Sequence, residues 1–106
     1  MSQTLDTYLR LMVDEDASDL FFSAGAPPCM KSDGRIRRLT DQPLDGPVIY
    51  ALACSAMNER ERAEFEAEWE MNLGLTRPGI GRFRVNIYRQ RGEVAMVVRY
   101  ITAEIP

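Results

Sequence analysis

The sequence predicts an α+β domain: an antiparallel sheet with helices packed on one face. Three observations carry this. A helical hydrophobic period opens the chain, one apolar and one acidic helical segment occupy its middle, and two-residue alternation dominates its last third. At 106 residues, with 45% hydrophobic and 27% charged side chains, the chain has the size and composition of one folded domain, residues 1–106, with no internal linker or repeat.

Leu5, Tyr8, Leu9 and Met12 recur at i, i+3, i+4 and i+7, which predicts an amphipathic helix over about 4–14, entered through Ser2 or Thr4. Asp19 to Ser23 reads as a short strand, stopped by Gly25-Ala26-Pro27-Pro28 because neither proline can donate to a ladder. Asp33-Gly34 between CMKS and RIRRL is a hairpin signal: both central residues of a type I′ turn need positive φ, which Asp and Gly tolerate. Asp45 and Pro47 start a second helix, expected to run to about Met57. Because VIYALACSAM is apolar almost all round, that helix is expected to be sandwiched in the core. Asn58, with Glu61 three residues on, caps a third helix, whose inward stripe is expected to be Phe65 and Trp69. Its many glutamates read as a solvated face. From about Glu70 the chain is strand-like, with turns at Pro78-Gly79 and near Gly92.

The chain has no histidine, two cysteines and no G-x-x-x-x-G-K-[ST] loop. This excludes His-dependent nucleophile chemistry, an ordinary zinc site and P-loop binding of a triphosphate by these residues alone. No catalytic residue and no metal ligand set is assigned. Cys29 and Cys54 are expected to be reduced, half-buried thiols.

Charge is unevenly distributed. From Met71 onward six arginines face two glutamates, a balance of +4, whereas the preceding residues carry seven basic and fourteen acidic side chains, a balance of −7. In GRFRVNIYRQRGEVAMVVRYI, alternation puts Phe83, Val85 and Ile87 on the core face and Arg82, Arg84, Asn86 and Tyr88 on the other. A two-residue loop at Gly92-Glu93 would set Val85 opposite Tyr100 and Arg99 opposite Asn86, so that Arg82, Arg84 and Arg99 share one patch. Close guanidiniums repel, so the patch calls for carboxylates from the acidic helix or for an external anion, whose oxygens the arginine fork matches. Nucleic acid is disfavoured by the net charge of −3 and by the scarcity of aromatics beside the arginines.

The segments ASDLFFSAGAPPCMKSDGRIRRL, MNERERAEFEAEWEMNLGL and GIGRFRVNIYRQRGEVAMVVRYITAEIP resemble the N-terminal domain of the type IV pilus retraction ATPases, the PilT/PilU family of twitching-motility motors. SDLFF and the RYITAEIP tail are more similar to the PilU branch. The resemblance implies a PAS-like fold and a short linker after Ile105-Pro106 leading to a RecA-like ATPase domain outside this sequence. It also implies a homo-hexamer, in which this domain contacts RecA-like domains of its own and neighbouring subunits. ATP and Mg are implied for the full-length parent, with no cofactor in this domain, and a cytoplasmic location at the inner-membrane pilus machinery. By the same resemblance Arg82, Arg84 and Arg99 face the nucleotide, and Arg89 and Arg91 are candidates for subunit contacts. Two other readings stand beside it: a PAS-like small-ligand sensor, which needs a cavity among Leu20, Phe22, Tyr50 and Phe83, and an interaction module with internally paired arginines.

Overall fold

The computed structural model describes residues 4–102; Ser2, Glu104 and the Ile105-Pro106 pair lie outside the described residues. The order of elements is α1 (Leu5–Asp14), β1 (Asp19–Ser23), β2 (Cys29–Ser32), β3 (Arg35–Arg38), α2 (Gly46–Ser55), α3 (Glu59–Glu68), β4 (Glu70–Arg77), β5 (Gly81–Gln90) and β6 (Glu93–Ile101). The strands form one six-stranded antiparallel sheet, ordered β3-β2-β1-β6-β5-β4. The α+β architecture read from the sequence is the observed one.

Each helix begins where its cap residue can accept from an otherwise unpaired N–H. Thr4 accepts from Thr7, Asp45 accepts from Val48 ahead of Pro47, and Asn58 with Glu61 forms a complete capping box. One face of the sheet is covered. Leu20 and Phe22 of β1, Met30 of β2, Met71, Leu73 and Leu75 of β4, Phe83, Val85 and Ile87 of β5, and Val94, Met96 and Val98 of β6 join the buried faces of the three helices in a single core. Tyr8 of α1 meets Phe22 edge-on, with ring centroids 5.1 Å apart. Leu20, Phe22 and Phe83 are packed in this core, at most 1% exposed.

Two expectations about the helices are corrected. The apolar α2 is not sandwiched: Ile49, Leu52 and Ala53 are buried, but Pro47, Ala51 and Ser55 face solvent. A helix resting on the outside of a sheet buries only the side that meets the sheet, and small side chains tolerate the exposed side. Trp69 does not share an inward stripe with Phe65. The helix stops at Glu68, and Trp69 adopts φ 62°, its N–H closing on the Phe65 carbonyl at 2.7 Å. That left-handed cap turns the chain into β4 and leaves the indole 59% exposed.

Both tight hairpins are of the two-residue kind with positive φ at each central position: Asp33-Gly34, as expected, and Arg91-Gly92. The second corrects the register read from the sequence. Glycine occupies the second turn position, with Arg91 at φ 55° and Gly92 at φ 81°, so the loop is type I′ and lies one residue earlier than Gly92-Glu93. Val85 therefore pairs with Val98 and Ile87 with Met96. The slip relative to expectation is two residues, an even number, so every side chain keeps its face while every partner changes.

Candidate functional site

Among the described residues, the other face of the sheet carries no helix. Because six strands align in register, positions across it fall into rows. One row reads Gly74, Arg84, Arg99, Asp19, Lys31 and Ile36, and the next reads Asn72, Asn86, Val97, Phe21, Cys29 and Arg38. The corrected register places Arg84 directly opposite Arg99, a like-charge pair that costs stability in a sheet unless something lies between or beside the guanidiniums.

Only half of this repulsion is answered from within. Arg99 Nε donates to Asp19 Oδ1 at 3.1 Å, and Ser18 Oγ donates to the other oxygen of the same carboxylate at 2.8 Å. The carboxylate is 9% exposed and Arg99 70%, so the pair is anchored at the acid and open at the base. Arg99 makes no other hydrogen bond among the described residues, which leaves its terminal amino groups to solvent. Arg84 and Arg82 are exposed and form no ion pair among the described residues. Asn72, Arg84, Asn86, Val97 and Arg99 line a shallow groove of about 270 Å³, floored by the backbone around Leu73 and Val85. Arg82 shares the face but lies one row further along, beside Thr76 and Ile101. The three arginines expected to form a patch thus divide into a groove pair, Arg84 and Arg99, and a neighbour.

The polar lining is incomplete in a second way. Asn86 Oδ1 is buried and has no hydrogen-bond partner among the described residues, an arrangement that costs about 1–3 kcal/mol until a donor arrives. The groove otherwise presents guanidinium and amide N–H groups, a donor set suited to phosphate or carboxylate oxygens and unsuited to a divalent cation, which prefers carboxylate and carbonyl ligands.

Arg89 behaves differently from the groove arginines. Its Nη2 donates to Glu66 Oε1 of α3 at 3.1 Å, Nη1 donates to the Gly92 carbonyl at 3.4 Å, and the guanidinium lies over the rings of Phe65 and Tyr50 at 5.4 and 5.9 Å. Tyr50 donates its hydroxyl to the other oxygen of Glu66. That bond first, and Arg89 after it, holds the Glu66 carboxyl below the usual carboxylate range, while the phenol's own proton is held above its ordinary pKa. The acidic helix therefore does neutralise one arginine of the hairpin, on the helix side of the sheet. Arg91 sits at the turn and is exposed. Arg77, which sequence reasoning did not single out, is tied to Asp6 at 2.9 Å and to the Ser55 carbonyl at 2.9 Å, joining β4 to α1 and α2. Asp19 was also missed as a site residue; its signal was the SDL stretch, where a charged residue stands beside a buried leucine.

The chain is 44% identical over 98 residues to the type IV pilus ATPase PilU of Pseudomonas aeruginosa and 36% identical over 97 residues to the type IV pilus retraction ATPase PilT of the same organism. Each match covers 92% of this chain but only 26% and 28% of those proteins, so the chain spans about a quarter of their length. No family model matches. Among solved structures, the pilus retraction motor PilT with bound ADP superposes with a TM-score of 0.90 at 34% identity, covering 99% of this chain and 31% of that one. The Legionella pneumophila ATPase DotB superposes at 0.77 with 20% identity, covering all of this chain and 31% of that one, a likeness of fold.

Proposed function

The chain matches the N-terminal part of the type IV pilus ATPases PilU and PilT, PilU at the higher identity of the two, and from that premise we propose that it assembles such a motor and completes its nucleotide site. On this reading the domain has no chemistry of its own. A RecA-like domain of the same or a neighbouring subunit in a hexamer holds ATP and Mg²⁺, and Arg84 and Arg99, with Arg82 beside them, reach the nucleotide phosphates. Guanidiniums so placed would stabilise charge developing on the transferred phosphoryl group and sense its departure. The motor would work at the cytoplasmic face of the inner-membrane pilus machinery.

The observation that carries the proposal is the cross-strand Arg84–Arg99 pair on an uncovered sheet face, with one carboxylate, Asp19, beside Arg99 and none paired to Arg84 among the described residues. Internal ion pairing accounts for Arg77 and Arg89, which face the helices, and leaves the groove pair in need of an outside anion. In the full-length parent, Arg84→Ala and Arg99→Ala are expected to lower ATP turnover and pilus retraction by tenfold or more while the domain stays folded. Wild-type turnover, nucleotide affinity and hexamer content in both variants would remove the nucleotide-facing assignment.

A further inference from the structure

Seven glycines are present, and five of them have a backbone reason in the fold. Gly25, Gly34, Gly79, Gly81 and Gly92 have φ between 75° and 154°, and a β-carbon on Gly46 would meet the movable carboxylate end of the exposed Glu93 side chain. Gly74 has neither cause. It lies in the interior of β4, outside the left-handed region, and a β-carbon built on it meets nothing within 4 Å. A glycine inside a strand weakens it, and such a residue marks a place where a ligand or another backbone comes close to the sheet.

The position is telling. Gly74 is the register partner of Arg84, which is the partner of Arg99. Exposure along β4 alternates, so a side chain at 74 would stand on the uncovered face between Asn72 and Thr76 and across from Arg84, next to the groove that Asn72, Leu73 and Arg84 help to line. Asn86, whose side-chain amide N–H can donate to an anion, lies one row away.

We propose that Gly74 is the clearance position of the arginine groove: its missing side chain lets a polyphosphate lie flat against β4 and β5, within reach of Arg84, Arg99 and the amides of Asn72 and Asn86. The proposal rests on the phosphate-facing reading of these arginines and adds a specificity-determining residue to it. A bulky residue at 74 leaves the fold intact and closes the groove.

The test uses the 106-residue chain, isotopically labelled, titrated with inorganic triphosphate and with ATP while side-chain guanidinium and amide resonances are followed. Wild type is expected to bind in the millimolar range with shifts centred on Arg84, Arg99, Asn72 and Asn86, and Arg84→Ala to lose them. Gly74→Ala and Gly74→Val are expected to melt at or above the wild-type temperature, with affinity falling at least tenfold in the valine variant. Wild-type affinity in a folded Gly74→Val chain overturns the clearance role and leaves the phosphate reading standing. Failure of Gly74→Val to fold overturns it also, because the space above residue 74 is then not free. Absence of shifts at Arg84 and Arg99 in wild type, or equal shifts at all exposed arginines including Arg35 and Arg38, is the signature of an adventitious ion only, and overturns both readings.

Discussion

Replacing Asp19 by asparagine separates the two roles that this carboxylate combines. Among the described residues it is the single acid hydrogen-bonded to the arginines of the uncovered face, 9% exposed, holding Arg99 Nε at 3.1 Å and the Ser18 hydroxyl at 2.8 Å. A charge-assisted hydrogen bond contributes about 1.5–3 kcal/mol, but Arg99 is 70% exposed and water replaces much of what it loses. The nearly isosteric amide also relieves the desolvation of a buried charge. The expected loss is therefore about 1 kcal/mol, a fall of roughly 4–8 °C in Tm for a domain of this size. Anion binding should move the opposite way. Strands lie about 4.8 Å apart, so an anion seated between β5 and β6 is about 7 Å from Asp19 on the adjacent strand. Removing one negative charge at that distance favours a bound unit charge by about 0.6 kcal/mol in water and about 2.4 kcal/mol at an effective dielectric of 20. Inorganic triphosphate should thus bind at least about threefold more tightly to Asp19→Asn than to wild type. Differential scanning calorimetry and titration at fixed low salt measure the two quantities. Weaker triphosphate binding by a folded Asp19→Asn chain would refute the electrostatic argument, since it would mean that Asp19 serves the site by aiming Arg99 and not by offsetting its charge.

Three further expectations follow from packing and titration. Phe65→Ala removes a fully buried ring that also supports the Arg89 guanidinium, and should cost about 3–5 kcal/mol in urea denaturation. Trp69→Gly relieves a left-handed backbone at a mostly exposed residue and should raise stability by up to about 1 kcal/mol, read as a higher Tm. Glu66 is held below its ordinary pKa of 4.5 mainly by the Tyr50 hydroxyl. A depressed carboxyl contributes stability above the unfolded value and loses it as pH falls through the folded one. The acid limb of the wild-type stability curve should therefore be steeper below pH 4.5 than that of Glu66→Gln, and Tyr50→Phe should move it toward the variant.

The sequence by itself determined the elements and their faces. Caps at Thr4, Asp45 and Asn58 are local events within four residues, and the alternation of Phe83, Val85 and Ile87 with Arg82, Arg84 and Asn86 follows from the strand period alone. For the same reason the arginine-bearing face was legible before any partner was known. What failed were the inferences in which two backbone choices compete on small energies. Whether glycine takes the first or the second position of a hairpin turn decides the Arg84–Arg99 pairing, and Arg91 accepted a left-handed conformation that a sequence rule assigns more readily to others. Trp69 likewise left the helical face because the chain had to turn into β4.

Partnership across distance belonged wholly to the tertiary structure. Asp19 and Arg99 are 80 residues apart, Asp6 and Arg77 are 71, and Glu66 and Arg89 are 23. The sequence supplied an acidic segment and a basic one, with net charges that cancel in several ways. Only the order β1-β6-β5-β4 sets Asp19 beside Arg99, leaves Arg84 unanswered and brings Gly74 next to it. Charge is a property of composition, but which charges are neutralised depends on distances of a few ångströms that strand order alone fixes.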